Sequence, residues 1–205
     1  MPCIFVATSS KGKLEDFAAA AALNNVAVVA LPEFDKLPEV EEDGDTFEAN
    51  ARKKAMVYSR VSPGALVIAD DSGLEVDALG GAPGVRSARF AAVVQRNNNE
   101  SRKPSDEDNN DKLLYELSLK AGWERTARFV CVIAAARDGE VLATFRGEAK
   151  GEILQMPLGR KGFGYDPLFY SPAANKTFAE MTREEKAGYS HRGAAFKKFL
   201  EWVRS

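Results

Sequence analysis

The chain has 205 residues, 45% of them hydrophobic, a length that buries a real core without disulfide staples and suits one large domain or two closely joined lobes. Its 28 Lys and Arg against 30 Asp and Glu leave a net charge of -2, which excludes a global basic field of the kind that draws a protein to nucleic acid. Two cysteines, Cys3 and Cys131, are too few for a disulfide framework and read as buried free thiols, and no apolar run is long enough for a signal-peptide core or a transmembrane helix, so a cytoplasmic protein with no membrane and no nucleic-acid partner is expected.

Cys3 to Ala7 reads as a first buried strand. The polar turn Thr8-Ser9-Ser10-Lys11-Gly12-Lys13 follows, then an alanine-rich helix from about Leu14 to Leu23 and an apolar strand from Val26 to Leu31. Strand, turn and helix in that order open an α/β unit. Acidic, proline-bearing residues 32–43 read as a loop. Asp45-Thr46-Phe47-Glu48 has the capping-box pattern, with Asp45 as N-cap, and predicts a helix to about Arg60. Asn50 and Lys54, four residues apart, share one face of it; a solvated helix face is the plain reading of such a pair.

Val67-Ile68-Ala69 predicts a buried strand that ends in Asp70-Asp71-Ser72-Gly73. Leu74 to Leu79 alternates apolar and acidic residues, as a half-buried strand or a short helix would. Gly80 to Val85 is a glycine-rich loop, followed by Arg86 and Arg89. Residues 96–110, rich in Asn, Lys, Ser and Asp, read as a mobile loop with no assigned function, and Leu113 to Lys120 as a helix. Arg128 to Arg137 and Val141 to Ala149 flank Asp138-Gly139, a strong hairpin pattern. A second glycine cluster runs from Gly159 to Pro167, and a last helix spans roughly Gly193 to Val203, with Ala195, Phe199 and Trp202 as its apolar stripe. No repeat or linker divides the chain, which predicts a single domain over residues 1–205.

Four constellations carry chemistry. The Thr8 to Lys13 turn puts hydroxyls, backbone N–H groups and a lysine at a helix N-terminus, where phosphate binds, although the P-loop spacing is absent. Asp70 and Asp71 at the end of a buried strand ask for a positive partner, such as a divalent cation. Because strand side chains alternate, one of the two serves the site and the other braces it or binds metal through a bend. Glu41 and Glu42, ahead of the capped helix, can supply a further carboxylate. Lys186-Ala187-Gly188-Tyr189-Ser190-His191-Arg192 gathers donors for an anion or the polar edge of a base, around the chain's single histidine. Gly162-Phe163-Gly164-Tyr165-Asp166-Pro167 lets a planar ligand approach backbone beside an aromatic ring, with Asp166 as an acceptor; a glycine-rich turn with core aromatics is the plain alternative.

With these residues in family order the chain resembles the inosine/xanthosine triphosphate pyrophosphatase family, from about Ile4 to Phe199. The matching motifs are Ala7-Thr8 with Lys13, Gly44-Asp45-Thr46-Phe47 with Asn50-Ala51 and Lys54-Ala55, the long run from Ala69 to Arg89, Gly162 to Pro167, and Ser190-His191-Arg192. The resemblance implies an elongated two-lobed α/β fold, with a long mixed β-sheet flanked by helices and a nucleotide cleft between the lobes. It implies a homodimer, and Mg²⁺-dependent hydrolysis of ITP, dITP and XTP to the monophosphate and pyrophosphate, which clears deaminated purines from the nucleotide pool.

Position by position, the resemblance makes Asp71 the catalytic acid at the metal and Glu42 a second metal-associated carboxylate. Thr8, Ser9, Ser10 and Lys13 match the triphosphate turn, Asn50 and Lys54 the helix face toward the phosphates, and Ser72 a phosphate-side contact. Phe163, Gly164, Tyr165, Asp166, Lys186, His191 and Arg192 match the nucleotide clamp. Ser10, Ala49 and Phe90 stand where the family usually has Asn, Glu and Tyr, and the 96–110 stretch is longer and more polar than usual. A Maf-like pyrophosphatase of modified nucleotides, or a non-catalytic nucleotide-binding protein, is the alternative reading.

Overall fold

The computed structural model describes residues 4–92, 104–120, 122 and 124–205. The first three strands are parallel. β1 (Ile4–Val6) pairs with β2 (Val28–Ala30) and with β3 (Leu66–Val76), Ile4 standing opposite Val28 on one side and Leu66 on the other. Parallel neighbours need crossover connections. α1 (Lys11–Ala22) and α2 (Phe47–Ser59) provide them. After α3 (Asp106–Ser118) come β4 (Thr126–Arg137), β5 (Glu140–Ile153), β6 (Phe169–Ser171) and β7 (Lys176–Thr177), with β5–β6 and β6–β7 antiparallel, and the chain ends in α4 (Arg183–Tyr189) and α5 (His191–Arg204). The result is the expected α/β class, with one seven-stranded mixed sheet in the order β2-β1-β3-β4-β5-β6-β7. Among the described residues no helix is long and apolar enough to cross a membrane.

The chain divides into two compact units, residues 1–72, 130–149 and 182–205 in one and residues 73–129 and 150–181 in the other. The first has its core among Ile4, Val6, Phe17, Ile68, Ile133, Phe196 and Phe199. Gly147 lets the start of α5 lie against β5 there: a Cβ at that position would stand 2.3 Å from both the Ala195 nitrogen and the His191 carbonyl oxygen. The second unit is centred on Phe129, Phe169 and Phe178, whose rings lie 4.7 to 5.7 Å apart.

Several boundaries differ from the sequence expectation. β3 does not end at the acidic pair; it continues through Asp70, Asp71, Ser72 and Gly73 to Val76, because each carboxylate finds partners on its own face and the strand need not escape to water. Asp77–Leu79 then forms a short 3₁₀ turn. Thr46, not Asp45, caps α2, its hydroxyl accepting the Ala49 N–H at 3.1 Å, which leaves Phe47 as the first helical residue and buries it. α3 begins at Asp106, inside the stretch read as a loop, because Ser105 and Asp108 close a capping box and three acidic residues occupy the positive end of the helix. The rest of that stretch, 96–103, and Cys3 lie outside the described residues. The hairpin turn is as expected, with Asp138 at φ 52° and Gly139 at φ 85°.

Candidate active site

The site is built on β3, within the first unit. Consecutive residues of a strand face opposite ways, and Asp70 and Asp71 accordingly face different sets of partners. Asp71 accepts from the Asn50 Nδ2 at 2.9 Å through Oδ2 and from the Ser72 N–H at 2.9 Å through Oδ1. The Lys54 ammonium stands 3.9 Å from Asp71 Oδ1 and 2.9 Å from Glu42 Oε1. Asn50 and Lys54 thus share the buried face of α2, and the solvated-face reading of that pair is overturned. Asn50 is itself fixed, accepting the Gly44 N–H at 2.8 Å and donating to the Gly44 carbonyl at 3.3 Å. A Cβ at Gly44 would stand 2.7 Å from the Asn50 oxygen, so the position admits only glycine without a shift.

Burial raises the Asp71 carboxyl above its ordinary pKa, Lys54 and Lys13 oppose the rise, and the neighbouring Glu42 adds to it. Burial works against the Lys54 charge, but Asp71, Asp70 and Glu42 outweigh it and leave that ammonium more basic than usual. The arrangement is a well-oriented carboxylate of raised basicity beside a firmly charged lysine.

Asp70 is enclosed by cations. Lys13 Nζ lies 3.1 Å and Arg192 Nε 3.6 Å from its Oδ2, with the Cys131 thiol donating from 3.7 Å. Burial resists its ionisation, but Lys13, Arg192 and Lys54 hold its carboxyl well below the usual range. Burial pushes the Cys131 thiol well up, which keeps it an inert core thiol, as expected from the sequence. Arg192 continues the network, donating to Asp16 Oδ2 at 2.6 Å and to the Ser72 hydroxyl at 2.8 Å. Lys186 stands 3.4 Å from the same Asp16 oxygen.

Asp16 was not among the expected site residues. Its signal is its place on the Lys13, Phe17 and Ala20 face of α1, where a carboxylate facing a core requires a cation. α4 was not foreseen either, although Thr182 and Glu185 spell its capping box. It ends at Ser190, which also caps α5 and sets His191 and Arg192 in the first turn of that helix. His191 is buried, and burial together with the Arg192 and Lys186 charges keeps its pKa well below the ordinary value, so the imidazole is neutral.

In the turn after β1, Ser10 caps α1, its hydroxyl accepting the Lys13 N–H at 3.3 Å, while the Thr8 hydroxyl accepts the Ser10 N–H at 3.2 Å. Ser9 is exposed.

The remaining expected residues belong to the second unit. The Asp166 carboxylate accepts the Phe163 N–H at 3.0 Å and so closes the Gly162 to Pro167 turn from within. Tyr165 is buried and donates to the Ser87 carbonyl at 2.9 Å, and its phenol is made less acidic by burial first and by Asp106 second. Ser87 in turn accepts the Leu74 N–H at 2.9 Å, tying the turn to β3 through a residue of the matched Ala69 to Arg89 run to which the sequence reading gave no role. Phe163 and Gly164 are half-buried and border a cavity of about 290 Å³.

The sequence profile of the Ham1 family matches residues 4–202. The chain belongs to the Ham1 family. A relative from Acidobacterium capsulatum named dITP/XTP pyrophosphatase is 48% identical over 197 residues, 96% of each chain. The solved Ham1 protein of Coxiella burnetii superposes with a TM-score of 0.82 at 34% identity, covering 100% of this chain and 99% of its own. That of Staphylococcus aureus gives a TM-score of 0.79 at 39% identity, covering 98% and 97%.

The donor set of this Ham1 chain also bears on a metal. Among the described residues no three His, Cys, Asp or Glu side chains gather into a self-sufficient metal site. Asp71 and Glu42 instead converge on one ammonium. Two carboxylates brought to one point fit Mg²⁺, which usually takes only one or two from the protein.

Proposed function

We propose that the chain hydrolyses the triphosphates of deaminated purines, ITP, dITP and XTP, to the monophosphate and pyrophosphate. The observation that carries the chemistry is that Asp70 packs against Lys13 and Arg192 while Asp71 meets Asn50 and the Ser72 N–H, an arrangement that pushes the two carboxyls apart in pKa and marks one as permanent charge and the other as base. Asp71, oriented by Asn50 and the Ser72 N–H, takes a proton from water as its oxygen attacks the α-phosphorus. The bond from that phosphorus to the bridging oxygen breaks, and pyrophosphate leaves with the electron pair. Lys13 and Lys54, with the hydroxyls and N–H groups of Thr8, Ser9, Ser10 and Ser72, hold the phosphate charge. Asp71 and Glu42 would hold Mg²⁺, which would supply further charge neutralisation.

Base recognition is assigned to Phe163, Gly164, Tyr165 and Asp166 and to Lys186, His191 and Arg192. A donor aimed at the 6-oxo group accepts hypoxanthine and xanthine and leaves the 6-amino group of adenine badly paired. The family resemblance supports a homodimer, the lack of a repeat or linker in the sequence supports one catalytic domain, and the buried free thiol of Cys131 supports a cytoplasmic location; the net charge of -2 gives no support to a nucleic-acid partner.

The test is pyrophosphate release, with Mg²⁺, from inosine, xanthosine, adenosine, guanosine and thymidine triphosphates side by side. Strong turnover of the first two with monophosphate as co-product is the expected result. Equal rates on all five would discard the base assignment and return the Maf-like alternative. No release would favour a binding protein.

A further inference from the structure

The start of α3 lies in a stretch to which the sequence reading gave no function, yet it grips Gly164 of the glycine-rich turn through the peptides on both its sides. The Asp106 carboxylate accepts the Gly164 N–H at 2.7 Å, and the Asn110 Nδ2 donates to the Gly164 carbonyl at 3.0 Å. Asp106 and Asn110 are four residues apart, so they share a helix face. The Ser105–Asp108 capping box fixes where that face begins. Gly164 has φ +61°, and a Cβ there would meet nothing within 4 Å. Glycine is therefore needed for the backbone conformation and not for space, and two hydrogen bonds from α3 hold that conformation.

The grip also has a cost. The Asn110 Oδ1 is buried and has no hydrogen-bond partner among the described residues. A buried acceptor left so is destabilising. An asparagine chosen for stability alone would not be placed this way; one chosen to hold the Gly164 carbonyl would. Phe163, the residue before Gly164, borders the same cavity as Asp106, Asn110 and Pro167. Asp106 holds the 163–164 peptide and Asn110 the 164–165 peptide, so α3 fixes the backbone from which the Phe163 side chain projects.

We propose that Asp106 and Asn110 are positioning residues for purine recognition, which act by fixing the backbone on both sides of Gly164 and through it the place of Phe163. The proposal rests on the reading that the Gly162 to Pro167 turn meets the base. Neither side chain performs a chemical step, so the expected signature lies in KM and in selectivity, with kcat preserved.

Steady-state hydrolysis of ITP and ATP by the full chain tests it, with Asp106→Ala, Asp106→Asn, Asn110→Ala and Phe163→Ala beside the unchanged protein. Asp106→Ala and Asn110→Ala should each raise KM for ITP about five- to tenfold and lower the ITP-over-ATP preference by a similar factor, as loss of one well-placed hydrogen bond does. Asp106→Asn retains an acceptor oxygen and should restore KM for ITP close to the original value, which a role confined to helix charge would not. Asn110→Ala should melt within about 2 °C of the unchanged protein, since it deletes the buried acceptor together with the hydrogen bond. Unchanged KM in both alanine variants, or KM effects that merely follow lost thermal stability, would overturn the proposal. If Phe163→Ala raises KM while the α3 variants do not, the grip is wrong and the base-facing turn survives. If Phe163→Ala also leaves KM unchanged, the proposal falls with the base-facing turn, while pyrophosphate release from ITP still stands on its own.

Discussion

The two faces of β3 present the same side chain one residue apart and do opposite things with it. On one face Asp70 meets Lys13 and Arg192 and is held ionised; on the other, Asp71 is oriented by Asn50 and the Ser72 N–H and is made more basic by burial. The difference lies in the partners, not in the residue type. Charge-compensated burial produces a structural anion, and partly compensated burial produces a base. Arg192 joins the two faces, since its guanidinium reaches Asp16, the Asp70 carboxylate and the hydroxyl of Ser72, the residue after Asp71.

The sharpest way to break this contrast is to neutralise each acid in turn. Asp71→Asn should lower kcat by a factor of about 10² to 10⁴, the usual worth of a positioned general base, with the melting temperature preserved or slightly raised. Its raised folded pKa means that Asp71 favours the fold most at low pH and that this contribution is lost as pH rises through the folded value. Removal at neutral pH therefore costs the fold little. Pyrophosphate release and thermal unfolding measured on one preparation check both halves. Turnover near the original rate would remove Asp71 from the role of base.

Asp70→Asn should do the reverse. It leaves Lys13 and Arg192 facing a neutral group in a buried site, a change that costs about 3 to 5 kcal/mol when one partner of a buried ion pair is lost. The pH dependence carries the same sign. The folded Asp70 pKa lies below the unfolded value of about 3.9, so its stabilisation is complete above that value and is lost as pH falls through the folded one. Denaturant unfolding followed from pH 6 downward should therefore fall less steeply for the variant than for the unchanged protein in the acid range. A variant as stable as the original but devoid of turnover would exchange the roles of the two acids.

Much of this contrast was legible in the sequence. Alternation along a strand requires Asp70 and Asp71 to part, and the four-residue spacing of Asn50 and Lys54 requires them to share a face. Local rules fix such relations. What could not be read was where partners from distant segments would close in. The strand was expected to stop at the acids because unpaired carboxylates do not continue into a core; Lys13 from α1 and Arg192 from α5 remove that reason. Asp16 was lost in an alanine-rich helix because its cations lie some 170 residues further on, Lys186 and Arg192 both reaching it from the C-terminal helices. The start of α3 and the whole of α4 are a different kind of omission. Their capping boxes, Ser105 with Asp108 and Thr182 with Glu185, were present in the sequence, but polar and glycine-bearing surroundings outweighed them.

The smallest expected effect lies at Ser10, and it separates the Asp70 face from the phosphates. Ser10 caps the helix that carries Lys13 and Asp16, so its hydroxyl is engaged at 3.3 Å with the Lys13 N–H. Ser10→Ala should cost about 1 kcal/mol through the lost cap. Ser10→Asn should cost almost nothing, because asparagine caps as well as serine does. The two variants therefore share the loss of serine and differ in the cap. If Ser10 matters only through α1, KM for ITP should follow the melting temperature, changed in Ser10→Ala and restored in Ser10→Asn. If its side chain also meets a phosphate, KM in Ser10→Asn should move while its melting temperature does not, because the longer amide alters reach without loosening the helix. Thermal unfolding and KM for ITP, measured on the pair, decide whether the turn after β1 serves the nucleotide through its side chains or only by aiming Lys13 at Asp70.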